Sequence, residues 1–364
     1  MTDPEKEREK VNNIFEKDNF IQVDPDTDFK FLTAFDLYKK IRVKGKDQFV
    51  LFHKGKTPLE HEIPGGIYLK ESSVEELLKL TPNIKFTKAE EEVSEPEKVS
   101  DNIFHILLND QFQTLILNNP ELDLEKKIEI TVHSAGEVMK KIFEDRKLDH
   151  DTINLILKVG DNICYLIELV FQDNKTLNLL LNEIIGHDYR LYTHCVNVSF
   201  YSGLLAIELA NNSLQTLEAD QLKILVTGSL LHDIGKILID SKIIDKLTPL
   251  SPKEFEEIKR HPVYGIKLVE QEKLSEEVLN VILQHHEKWT GGGYPYNISY
   301  QQISNFARIA CISDVFDALT TKKPYRPALK PFEALLLMKQ QMIGKFYHPY
   351  LNVFIKFLGR SSRK

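Results

Sequence analysis

The chain has 364 residues, 42% of them apolar and 28% charged, with a formal net charge of -7. That is enough for properly cored domains, about two or three of them. An acidic chain of this kind is a poor binder of nucleic acid or of an anionic membrane, although a small anionic ligand needs only local positive charge. Cys164, Cys195 and Cys311 are far apart and lie in apolar helical stretches. They read as buried small hydrophobes, not as a disulfide framework or a zinc cluster, and imply a reducing compartment. The opening MTDPEKEREK is too charged for a signal peptide, and the most apolar run, Leu222 to Leu231, is too short for membrane insertion. The expected location is the cytoplasm.

In chain order, residues 1 to 17 read as a charged arm or short helix. IRVKG, QFVLFHKG and GGIYLK have the texture of short strands broken by glycine and proline, and SSVEELLKL that of a serine-capped helix. DPDTD (24–28) has Phe29 and Phe35 where a calcium loop needs glycine and glutamate, so it reads as a solvated turn. Residues 1–85 are thus expected to be a small α+β regulatory or docking module, followed by an acidic, proline-containing linker over 86–100. Beyond it apolar residues recur at helical spacing, first in a helical connecting segment over 101–185 and then in an all-helical domain over 186–364. The fold class is mainly α, with an α+β module in front.

The helical half carries the chemistry. LVTGSLLHDIGK (225–236) is apolar on nearly every side, so as a helix it is buried, and His232 and Asp233 go into the core with it. A buried carboxylate requires a metal or another cation, and Lys236 follows close behind. An isolated His–Asp pair is more often a hydrogen bond in a core; the rest of the domain shifts that balance. His285 and His286 end another apolar helix and precede Gly291, Gly292 and Gly293, which let backbone approach a ligand. NFARIACISDVFDALTT (305–321) is again apolar all round, yet carries Asp314 and Asp317 three residues apart; Asp317 alone could be a cap or pair with Arg308. His194 flanks an apolar stripe, and His261 is expected where a helix opened by Ser251, Pro252 and Glu254 stops. Singly, these two read as a core histidine and an exposed helix-end cation. Together, imidazole and carboxylate suit iron, manganese or zinc, with no thiolate in the set. Two such metals can clamp a phosphoryl group in an in-line displacement, and Lys323 and Arg326 of KKPYR offer positive charge for phosphates.

The order His194, HDIGK, HPVYG, HHEKWTGGGYP, SDVFDALTTKKPYR resembles the HD-GYP domain family over about residues 180–360. The resemblance implies metal ligands at His194, His232, Asp233, His261, His285, His286 and Asp314, with Asp233 bridging two metals and Lys236 beside the attacking water. It implies substrate contacts from Lys323, Arg326, Tyr294 and Gly293. The implied cofactors are two divalent ions, iron or else manganese. The implied reaction is hydrolysis of cyclic di-GMP to pGpG, and onward to GMP, by a hydroxide bridging the metals. Other readings are an inactive cyclic dinucleotide sensor, or a phosphodiesterase for another cyclic dinucleotide; a protein partner at the N-terminal module and a homodimer are also expected. Two departures stand out. Arg190 occupies the position where some members carry a third-metal glutamate, so two metals are expected. Thr290 stands where Asp or Asn usually precedes Gly291.

Overall fold

In the computed structural model, residues 124–361 are described except for 173, 186–189, 247 and 324–325. Before them the described parts are 20–23, 35–43, 46–53, 67–70, 73, 86–88, 107, 112–120 and 122–123. DPDTD and nearly all of SSVEELLKL lie outside the described residues. The chain forms two units, residues 1–123 and residues 124–364.

The first unit contains the strands β1 (Phe20–Val23), β2 (Leu37–Val43), β3 (Lys46–His53), β4 (Ile67–Lys70) and β5 (Phe86–Lys88). They form one sheet in the order β3-β2-β4-β1-β5, with antiparallel pairing throughout. Alternation of side chains turns Tyr38 and Tyr68, paired across β2 and β4, to one face, where Phe49 and Leu51 pack on them. IRVKG, QFVLFHKG and GGIYLK thus contribute to β2, β3 and β4. The first three residues of the expected linker form β5. A π-helical turn, Gln113–Leu117, lies within the expected helical connecting segment over 101–185.

The second unit is helical: α1 (Leu124–Asp145), α2 (His150–Val170), α3 (Asn174–Ile184), α4 (Leu191–Asn211), α5 (Ala219–Leu231), α6 (Ser241–Ile244), α7 (Pro252–Ile258), α8 (His261–Val269), α9 (Glu276–Gln284), α10 (Asn305–Thr320), α11 (Pro331–Gln341) and α12 (His348–Ser361). The mainly-α class holds, and the 101–185 segment contributes α1 to α3 to this unit. α4 and α10 are buried along nearly their whole length, as helices apolar all round must be. Rings of Tyr201 (α4), Phe316 (α10) and Phe354 (α12) meet edge-on, 5.1 Å between Tyr201 and Phe316 and between Phe316 and Phe354. Among the described residues, no helix is long and apolar enough to cross a membrane.

α5 ends one residue before His232, and the chain continues as a 3-10 turn over Ile234–Leu238. A Cβ on Gly235 would overlap the carbonyl of His261 and the amide of Gly265, so only glycine lets this turn lie against α8. Because those obstacles are backbone, Gly235→Ala is expected to destabilise the unit by at least about 3 kcal/mol. Urea denaturation of the variant beside wild type measures this.

Candidate metal centre

Five helices deliver seven side chains to one place: His194 from the first turn of α4, His232 and Asp233 from the end of α5, His261 from the start of α8, His285 and His286 from the end of α9, and Asp314 from α10. Their donor atoms fall into two groups, Asp233 with His261, His285 and His286, and His194 with His232 and Asp314, each within 4.8 Å. Asp233 stands between the groups. Its Oδ1 is 3.2 Å from His261 Nε2 and 3.9 Å from His285 Nε2, while its Oδ2 is 3.3 Å from His232 Nε2 and 3.7 Å from His194 Nε2. Asp314 also spans them, Oδ1 3.2 Å from His194 Nε2 and Oδ2 3.6 Å from His286 Nδ1.

His261 departs from the expectation of an exposed helix end. α7 starts as read, with Ser251 and Glu254 in a capping box and Pro252 at its first position, but it stops at Ile258. His261 opens the next helix, which carries Pro262 in its first turn, and is fully buried.

Four of the five imidazoles are oriented from behind. Nδ1 of His232 lies 2.7 Å from the Ser229 carbonyl, that of His261 2.7 Å from the Ile258 carbonyl and that of His285 2.9 Å from the Ile282 carbonyl. A carbonyl only accepts, so Nδ1 carries the proton and Nε2 presents a lone pair to the centre. For His194 the acceptor is Asp317, 2.6 Å from Nδ1. Asp317 accepts in turn from Asn197 Nδ2 at 2.9 Å and Thr321 Oγ1 at 3.4 Å, so its partners are these and not Arg308. Removing such an orienting carboxylate costs about 10- to 100-fold in metal affinity. Asp317→Ala should show that loss in a chelator competition titration.

The arrangement suits a cation. The Nε2 atoms of His261 and His285 stand 3.1 Å apart, lone pair towards lone pair. His232 Nε2 and Asp233 Oδ1 are buried with no hydrogen-bond partner. Burial pushes His261 down to about 4 and His285 and His286 well below the usual imidazole range, so these rings do not supply positive charge themselves. Burial also opposes charge on Asp233, but Lys236 and His232 outweigh it and hold the carboxyl well below its ordinary range. His194 is the exception: burial resists its charge, yet Asp314 and Asp317 lift it from 6.5 to about 9. A raised folded-state value stabilises the metal-free protein fully below 6.5, and the contribution is lost as pH rises through about 9. The Tm of chelator-treated protein should therefore fall between those pH values. Metal-loaded protein, with His194 already deprotonated, should not show this fall.

Around the centre, Lys236 Nζ lies 2.5 Å from Asp233 Oδ2. The Tyr294 ring lies over His286, centroids 4.7 Å apart. Glu287, buried, accepts from the amide of Tyr296 at 2.8 Å and so holds the glycine-rich loop. A Cβ on Gly293 would fall 2.5 Å from the Glu287 Cα, which explains that glycine by packing. Thr290 bonds through N and Oγ1 to the Gly344 carbonyl, both at 3.0 Å, anchoring the loop to the turn after α11. Lys323 and Arg326 pair backbone to backbone. Burial, then the cation of Lys236, lowers the Lys323 ammonium. Arg326 donates to the Leu319 carbonyl at 3.3 Å and the Ala318 carbonyl at 2.6 Å, capping α10. Arg308 instead sits over Trp289, 4.8 Å from its ring centre. Arg190 is exposed at the start of α4. Sequence reasoning missed Asn197 and the orienting role of Asp317; an Asn one turn from His194 in an otherwise apolar helix was the available signal. It also placed the cysteines away from the metals, whereas Cys195 Sγ lies within 4.8 Å of donor atoms of His232 and Asp233.

Residues 186–349 match the HD domain family. The chain is 37% identical over 36% of its length to a cyclic di-GMP phosphodiesterase of Pseudomonas aeruginosa, covering 32% of that protein. It is 29% identical over 52% of its length to a cyclic di-GMP phosphodiesterase of Thermotoga maritima, covering 50% of it. It is 31% identical over 57% of its length to a 3'3'-cGAMP-specific phosphodiesterase of Vibrio cholerae, covering 34% of it. The chain thus spans half or less of the length of these relatives. In fold it is similar to Bd1817, an HDG"Y"P protein from Bdellovibrio bacteriovorus, with a TM-score of 0.53, 18% identity, and 90% of this chain and 95% of that one covered. The histidine and aspartate clusters of an HD domain are compatible with a divalent metal centre. With the HD, HHE and GYP motifs in that order around them, residues 186–349 form a domain of the HD-GYP family.

Proposed function

We propose that the C-terminal unit is a metal-dependent phosphodiesterase that hydrolyses cyclic di-GMP. The observation that carries this is the convergence of five imidazoles and the carboxylates of Asp233 and Asp314 at one place, with the ammonium of Lys236 against Asp233. His194, His232, Asp233 and Asp314 would hold one divalent ion, and Asp233, His261, His285 and His286 the other. Bound there, the pair supplies Lewis acidity at the scissile phosphate and lowers the pKa of the attacking water. Iron is the favoured metal and manganese the alternative, on the oxygen and nitrogen donors of the set.

The protein's own groups do the rest. Lys236 places a fixed positive charge beside the scissile phosphate, where charge builds in the transition state. Lys323, close enough to feel the Lys236 cation, serves the substrate's phosphates as a second point charge. Arg326 assists with the N–H groups not given to the end of α10. Burial holds the Tyr294 phenol protonated, so it offers an O–H donor at the rim, and Gly293, packed close on Glu287, lets the loop that carries Tyr294 lie where it can meet the dinucleotide. Water adds at phosphorus, and the ribose 3' oxygen leaves with a proton. One cut gives linear pGpG, and a second would give GMP.

The similarity to 3'3'-cGAMP-specific phosphodiesterases favours a second substrate reading, because phosphate and metal contacts do not distinguish two cyclic dinucleotides. Incubating metal-replete protein with each in turn tests both. Turnover of cyclic di-GMP supports the proposal, turnover of cGAMP alone supports the second reading, and turnover of neither refutes both. Residues 1–85 are proposed as a regulatory or docking module, since among the described residues every metal-ligating cluster lies in the C-terminal unit. A cytoplasmic setting accords with three cysteines that are all unpaired.

A further inference from the structure

The mechanism above makes no use of Cys195. It follows His194 on α4, is wholly buried, and its Sγ lies with His232 and Asp233 in a group whose donor atoms are all within 4.8 Å of one another. One of those neighbours, His232, has a buried Nε2 without a hydrogen-bond partner, and it faces the same side as Asp233 Oδ2, 3.3 Å away. A tetrahedral ion about 2.3 Å from sulfur and about 2.1 Å from nitrogen or oxygen holds such donors about 3.6 Å apart, so side-chain movement of no more than about an ångström closes the set. We propose that Cys195 is a sulfur ligand on the His194 and His232 side of the metal centre, making that side a mixed nitrogen, oxygen and sulfur site for a thiophilic divalent ion, while the His261, His285 and His286 side is free of sulfur. When the ion binds, the S–H bond breaks, the electron pair stays on sulfur to form the metal bond, and the proton goes to solvent; nothing is oxidised. The two sides then differ in metal preference, the sulfur side favouring zinc or iron(II) and the other tolerating manganese. The inference rests on the metal centre proposed above.

Cobalt(II) is the probe. The full-length chain is stripped with chelator and titrated with cobalt under argon, following absorption and bound metal together. One sulfur-to-cobalt charge-transfer band in the near ultraviolet, saturating with one of two bound ions, is the expected result. The band should vanish in Cys195→Ala and Cys195→Ser while cobalt is still bound. A wild-type protein that binds cobalt without the band overturns the sulfur ligand and leaves the metal centre standing, and that outcome is read on wild type alone, whether or not the variants fold. A band of equal strength in either variant overturns it as well. Failure to bind cobalt at all overturns both readings.

Discussion

Asp233→Ala should lose both metal ions and nearly all turnover. The two oxygens of Asp233 face opposite groups, Oδ1 towards His261 at 3.2 Å and Oδ2 towards His232 at 3.3 Å, so one substitution removes a donor from each side. It also leaves the Lys236 ammonium without the carboxylate it now touches. Several kcal/mol of transition-state stabilisation depend on the metals, and at about 1.4 kcal/mol per factor of ten the rate should fall roughly a thousandfold or more. Elemental analysis of the purified variant beside wild type, with a hydrolysis assay on the same samples, checks both parts. A variant that keeps two ions would show that Asp233 does not link the groups.

Lys236→Met should have the second-largest effect, and of a different kind. Methionine keeps the apolar stem that packs in the 3-10 turn but removes the charge. The ligands are untouched, so both metals should stay. Loss of a preorganised charge at the reacting phosphate is worth about 100- to 1,000-fold in kcat, with KM changing far less if the ammonium acts chiefly on the transition state. Steady-state kinetics on metal-quantified protein separates the two parameters. Equal damage to metal content and rate would make Lys236 a prop for Asp233 rather than a group acting on phosphate.

The helical half was legible because its chemistry contradicts its packing. The second half of α5 and most of α10 are apolar on nearly every side, so His232, Asp233, Asp314 and Asp317 were forced inward by the sequence pattern alone, and the structure buries all four. His261 was harder. The cap at Ser251 correctly opened α7, but HPVYG looks like a helix end when Pro262 is read as a stop rather than as a first-turn residue of α8. Asp317 was visible as a buried acid, but its partner His194 lies 123 residues away, and no periodicity encodes such a pairing. Cys195 was invisible for the opposite reason: a buried cysteine in an apolar helix matches its surroundings, and only the approach of α5 to α4 sets it beside His232. Arg326 shows that a basic turn can serve the fold, since its guanidinium caps α10. In the N-terminal unit the strand texture was readable for β2 to β4, whereas β5 is three residues long and opens a polar, acidic stretch.

The central claim is tested most directly by anaerobic purification, a count of the metals, and chromatography of cyclic di-GMP incubated with the protein before and after chelation. Two iron or manganese ions per chain, conversion to pGpG, and loss of conversion on chelation with recovery on re-loading are the predicted result. Metal-replete protein that binds cyclic di-GMP and returns it intact would contradict the account and make the domain a sensor.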